Sequence, residues 1–126
     1  MELIRIIKAL ADETRLRMLN LLRQEALCVC EMEYLLDLNQ SNASRHLNKL
    51  WNANIIANEK RAQWVFYRIN QAVLNEHPLV RELIISELEK IDQFKQDTDK
   101  LQEYKNSGLT CEHIKQMLAS KACQKD

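Results

Sequence analysis

Glycine and proline are almost missing: one of each occurs in 126 residues. So few turn formers exclude an all-β fold built from many hairpins. No apolar run approaches the roughly 18 residues that a membrane span needs. The opening MELIRIIKAL is interrupted by Glu2, Arg5 and Lys8, so it does not read as a secretory signal, and a cytoplasmic protein with no membrane partner is expected. Cysteine is sparse as well. Cys28, Cys30, Cys111 and Cys123 do not form the framework of a secreted disulfide-rich domain, and in a reducing compartment they are free thiols or ligands. Neither sign of charge is in excess, with 18 basic and 18 acidic residues, whereas a nucleic-acid binder usually carries a basic surplus. No nucleophile–base set, phosphate loop or metal-hydrolase motif is visible, so an enzyme is not expected.

What is present is helix-forming: Leu, Ile, Ala, Glu, Lys, Gln and Arg dominate. A chain of this length suits one compact domain. Residues 3–10 have the spacing of a short amphipathic helix. Asp12 can cap a second helix with Leu16, Leu19 and Leu22 on one face. A third helix covers about 30–37, with Met32, Leu35 and Leu36 inward. After a break at Leu38-Asn39, Asn39 can cap a fourth helix over about 40–53. Its stripe of Ala43, Leu47 and Leu50 faces a core. Ser41, Arg45, Asn48, Lys49 and Asn52 lie opposite, with no acid among them.

The period then changes from 3.6 to 2. Ile55-Ile56 opens a strand ending near Lys60, and Trp64 to Ile69 alternates, which together read as a β-hairpin turning near Arg61-Ala62. Residues 40–70 hold Arg45, Lys49, Lys60, Arg61 and Arg68 against Glu59 alone, while residues 71–126 hold eight basic and ten acidic residues. The positive charge is concentrated in one segment. Pro78 can open a long helix whose stripe of Leu79, Leu83, Ile84, Leu88 and Ile91 would be covered by a second copy of the chain. Asn106-Ser107-Gly108 ends that helix, and Thr110 caps a last one. The expected division is a DNA-binding and dimerisation domain over 1–105 and a helical extension over 106–126.

A helix-turn-helix followed by a two-stranded hairpin describes a mainly α winged helix-turn-helix. In such a domain Gln40, Ser41, Asn42, Ser44 and Arg45 would approach base edges of duplex DNA. Lys49, Lys60 and Arg61 would neutralise phosphates. His46, at the edge of the core stripe, is either structural or near phosphate and is placed with the DNA-facing set. A helical module that binds only protein is the competing class, and it predicts no salt-dependent DNA affinity.

Several stretches carry a family resemblance. They are ALADETRLRMLNLL, ALCVCEM, LNQSNASRHLNKLWNANII and QWVFYRIN, in that order over about residues 5–70. In this order they resemble the ArsR/SmtB family of metal-sensing winged-helix repressors. The resemblance implies a homodimeric repressor that leaves its operator DNA when a metal or metalloid binds. The family often has a glycine in the wing, and this chain has none there. The family's Leu-Cys-Val-Cys motif falls on Leu27 to Cys30. It implies sensing of arsenite or antimonite, As(III) or Sb(III), with Cd(II), Pb(II) and Zn(II) as alternatives and a thiol redox sensor as another. Softness supports the motif, because thiolate selects thiophilic ions and trivalent arsenic is expected to take about three sulfurs. Where some members carry a third cysteine this chain has Glu33, so Cys111 and Cys123 are the remaining candidate donors. The family's Asp/His site on the last long helix looks absent, since residues 78–104 contain no His or Cys. His113, near Cys111, is a candidate only for a borderline ion such as zinc.

Geometry adds one expectation. On a regular helix residues i and i+2 point about 200° apart, whereas in an extended segment they share a face roughly 6.5 Å apart. Binding at Cys28 and Cys30 is therefore expected to extend or unwind the start of the third helix.

Overall fold

The computed structural model describes the backbone of residues 2–124 and the side chains of residues 2–119. The order is α1 (Glu2–Leu10), α2 (Glu13–Leu22), β1 (Leu27–Cys28), α3 (Val29–Leu36), α4 (Gln40–Asn52), β2 (Ile56–Arg61), β3 (Trp64–Ile69), α5 (Gln71–Glu76), α6 (Pro78–Glu82), α7 (Asp92–Ser107) and α8 (Cys111–Gln124). The caps fall where the sequence places them. The Asp12 carboxylate accepts from the Arg15 amide at 3.0 Å and opens α2. Asn39 accepts from the Asn42 amide at 2.8 Å and opens α4. Between α3 and α4, Asp37 takes a left-handed backbone (φ 54) that ends one helix and aims the next. Met32, Leu35 and Leu36 of α3 and Ala43, Leu47 and Leu50 of α4 are all buried, so α3 lies directly behind α4.

The hairpin forms, with register from Ile56 opposite Ile69 out to Arg61 opposite Trp64. Its turn is Ala62-Gln63, and Ala62 occupies φ 54 where a glycine would sit without strain. Exposure increases toward the tip: Ile69 is buried, Tyr67 half-buried and Val65 exposed. The sheet has a third strand the sequence does not announce. β1 pairs antiparallel with β3, placing Leu27 opposite Tyr67 and Cys28 opposite Phe66.

The long helix from Pro78 is interrupted, contrary to expectation. α6 passes into a wider π turn over Leu83–Glu87 and a 3₁₀ turn over Leu88–Lys90. Ile91 is extended (φ −82, ψ 111), and α7 starts afresh. A straight helix over 78–104 would reach about 40 Å, well beyond a small domain. The break lets α7 fold back and bury Phe94, Leu101 and Tyr104, each contributing about 1.5–3 kcal/mol if fully covered. It also buries Ile84 and Leu88 within the protomer, so those two are unavailable to a second copy. Two bonds from the Arg17 guanidinium to Asp97, at 2.8 and 2.9 Å, fix α7 on α2. Asn20 adds a bond to the Thr98 hydroxyl at 3.1 Å. Gly108, with φ 77, ends α7 as expected. Beyond it α8 packs against α3 through Cys111 and Ile114, both buried.

Candidate thiol site and nucleic-acid interface

The thiol site is built where three elements meet. Cys28 is the last residue of β1 and the N-cap of α3, with extended backbone (φ −88, ψ 171). Its amide donates to Glu31 Oε1 at 2.9 Å, one half of a capping box. The other oxygen of that carboxylate accepts from the Tyr104 hydroxyl of α7. Cys111, at the start of α8, brings its Sγ to 3.0 Å from the Sγ of Cys28. The donor atoms of Cys28, Glu31 and Cys111 all lie within 4.8 Å of one another, and all three residues are buried. Cys30, the second residue of α3, is half-buried and is not one of that group.

Electrostatics hold these groups as neutral thiols. Burial, reinforced by the Cys111 thiol, pushes Cys28 far above the usual thiol range. Burial pushes Cys111 up to about 11, with Cys28 opposing and the Glu31 charge adding. Burial and the Glu33 charge raise Cys30, while Lys115 and Cys28 work the other way. Such thiols react poorly as free nucleophiles. A soft ion that binds sulfur strongly can displace their protons, and the donor set fits that class. Glu33, raised by burial, offers only a hard oxygen.

The expected unwinding of α3 on binding concerns Cys30 alone. Cys28 already stands outside the helix in extended backbone, and only Cys30 is helical. His113 does not join the thiols: its Nδ1 accepts from the Thr110 amide at 3.2 Å, at the start of α8. The side chain of Cys123 lies outside the described residues.

On the opposite face of α3, α4 presents Gln40, Ser41, Asn42, Arg45 and Lys49 to solvent, with Ser44 half-buried. Arg45 leans on Asn42 Oδ1 at 3.4 Å. Lys60 and Arg61 are exposed near the wing tip. Arg61 is engaged by Glu59 and lies 4.7 Å over the Phe66 ring, whereas Lys60 has no ion-pair partner among the described residues. His46 is placed differently from the rest of the set. It is buried, with Nδ1 3.1 Å from Arg15 and Nε2 3.4 Å from Arg45. It supports α4 from below instead of facing outward. Arg5 and Lys8, which in the sequence only break an apolar run, gain a place here. With Arg15 and Lys49 they line a groove of about 510 Å³ between α1 and the end of α4. Only space, not sequence, assembles that cluster.

Comparison with known proteins agrees with this geometry. Residues 12–58 match the family model described as bacterial regulatory protein, arsR family. Over 69 residues the chain is 45% identical to the arsenic resistance transcriptional regulator ArsR1 of Pseudomonas putida, covering 54% of each chain. Over 69 residues it is 38% identical to the arsenical resistance operon repressor of Bacillus subtilis, covering 54% of this chain and 66% of that one. The match thus spans about half to two thirds of these relatives. Among solved structures, one of Mycobacterium bovis is described as the homodimeric winged helix-turn-helix DNA-binding domain of a possible ArsR-family transcriptional regulator. It aligns with a TM-score of 0.57 at 28% identity, over 65% of this chain and 77% of that one.

Proposed function

Because the chain belongs to the ArsR family of bacterial regulatory proteins, we propose that it is a transcriptional repressor. It binds operator DNA as a homodimer and is released when trivalent arsenic or antimony binds the thiolates of Cys28 and Cys30. One observation carries this reading: the thiol site is built into the supports of the DNA-facing surface. Cys28 caps α3, which packs behind α4, and it pairs with Phe66 of the wing strand β3. A ligand that reshapes Cys28 therefore acts on the reading helix and the wing together.

Gln40, Asn42 and Arg45 read base edges, since each side chain can make two hydrogen bonds to one base. Ser41 and Ser44 add single bonds. Lys49, Lys60 and Arg61 meet phosphates and supply affinity without sequence preference. Bound trivalent arsenic supplies no catalysis; it cross-links sulfurs and so fixes the N-cap of α3 in one geometry. The two relatives above are named for arsenic resistance and others for cadmium resistance, and the buried, thiol-rich donor set supports a soft ion over a hard one. The test is anisotropy of the reduced protein on its own upstream DNA, titrated with arsenite, antimonite, cadmium, lead and zinc. Release by arsenite and antimonite, lost in Cys28→Ser and Cys30→Ser, is the expected result. Tight DNA binding indifferent to every ion contradicts the proposed inducer, and release by cadmium or lead alone reassigns it.

A further inference from the structure

We infer that Cys111 of the same protomer is the third thiolate of this site, so that the ligand is held between the N-cap of α3 and the first turn of α8. The inference rests on the reading above that Cys28 and Cys30 bind a trivalent metalloid, and it assigns what two cysteines in one motif leave open. Two sulfurs joined through one ion by bonds of about 2.3 Å can be at most about 4.6 Å apart. Cys28 and Cys111 meet that limit at 3.0 Å, in one chain and with no partner needed. At 3.0 Å they are also well outside the roughly 2.05 Å of a disulfide, so both thiols remain available. Cys30 stands two residues on, outside the group whose donor atoms lie within 4.8 Å of one another, so ligation must draw its side chain in toward the other two sulfurs. The position three residues beyond Cys30 is Glu33, whose oxygen suits a soft ion poorly.

Loading needs no oxidant. For each thiol, one sulfur–arsenic bond forms as one oxygen–arsenic bond of arsenous acid breaks. The thiol proton leaves with the hydroxide as water, and arsenic stays trivalent. The consequence is mechanical. α8 follows a joint of Gly108, Leu109 and Thr110, and its Lys115 ammonium lies 5.5 Å over the Trp64 ring of β3. Ligation of Cys111 fastens α8 to the N-cap of α3 while α8 also touches the wing.

The test compares arsenite with phenylarsine oxide, which has only two positions open to thiols, on the reduced full-length chain. Binding is read from the sulfur-to-arsenic absorbance and from the mass of the adduct. The parent should gain one arsenic and lose three protons. Cys111→Ser should bind arsenite more weakly by at least the roughly 10–100-fold that loss of even an outer partner costs a metal site. It should still bind phenylarsine oxide through Cys28 and Cys30, and an unchanged circular-dichroism melt shows that the variant is folded. Equal arsenite binding by parent and Cys111→Ser overturns the inference, as does loss in Cys123→Ser instead. Mixing a Cys28→Ser/Cys30→Ser chain with a Cys111→Ser chain should leave the three-thiol site unformed. Its restoration overturns the single-chain assignment and gives the role to the partner's Cys111. A parent chain that binds no arsenite at all overturns the underlying reading instead.

Discussion

Glu31 shows how much one side chain can organise. Its carboxylate caps α3 through the Cys28 amide, accepts the Tyr104 hydroxyl from α7 and borders both buried thiols. Glu31→Ala removes the cap and leaves two buried donors without a partner, so it should destabilise the fold by about 2–4 kcal/mol, whereas Tyr104→Phe should cost about 1 kcal/mol. Urea midpoints at constant m-value check both. A second residue-scale effect concerns pH. Burial, with Arg45 and Arg15 beside the ring and Asp12 opposing, lowers the His46 pKa below its ordinary 6.5. The unfolded chain then binds the proton more readily, so stability is full above about pH 6.5 and falls as pH drops below it. His46→Gln should flatten that part of the stability–pH curve. The sequence placed His46 among the DNA contacts because it sits at the edge of a stripe, and a few degrees of helix rotation separate inside from outside.

In the proposed DNA complex the elements divide the labour, and two variants separate the parts. Arg45→Ala on α4 should relax discrimination by about 1–3 kcal/mol at one base position while leaving non-specific binding nearly unchanged. Lys60→Ala on the wing should weaken binding to all sequences alike and reduce the salt slope by about 0.9. Anisotropy on operator and scrambled duplexes at several salt concentrations measures both. Most elements were legible in the sequence because their signals are local: Asp12 and Asn39 as caps, the Ala43-Leu47-Leu50 stripe, the period change at Ile55. Two features were not. β1 is two residues long and exists only because β3, nearly forty residues later, pairs with it. The break at Ile91 carries no glycine or proline, and its cause is the burial gained when Phe94, Leu101 and Tyr104 fold back. The sequence offered both Cys111 and Cys123 as further donors to the motif Cys28-Val29-Cys30, and only the fold-back brings Cys111 to Cys28.

For the whole molecule, the apolar surface left uncovered points to self-association. Leu3, Ile4 and Ile7 of α1 and Leu79 and Ile85 around α6 are exposed. The start of α1 adjoins the α5–α6 joint, where Glu2, Glu76 and His77 converge within 4.8 Å. This patch keeps Leu79 of the stripe expected from the sequence but not Ile84 and Leu88, which serve the protomer's own core. Ile4→Glu with Leu79→Glu should convert a dimer to a folded monomer in sedimentation and reduce operator affinity. An unchanged mass would move the dimer interface elsewhere. On the proposed function the thiol site and the DNA surface are energetically coupled, and coupling is reciprocal. The most direct measurement is therefore the arsenite affinity of the reduced protein, free and saturated with operator DNA. DNA should weaken arsenite binding by the same factor, at least about tenfold, by which arsenite weakens DNA binding. Equal arsenite affinity in the two states would contradict it.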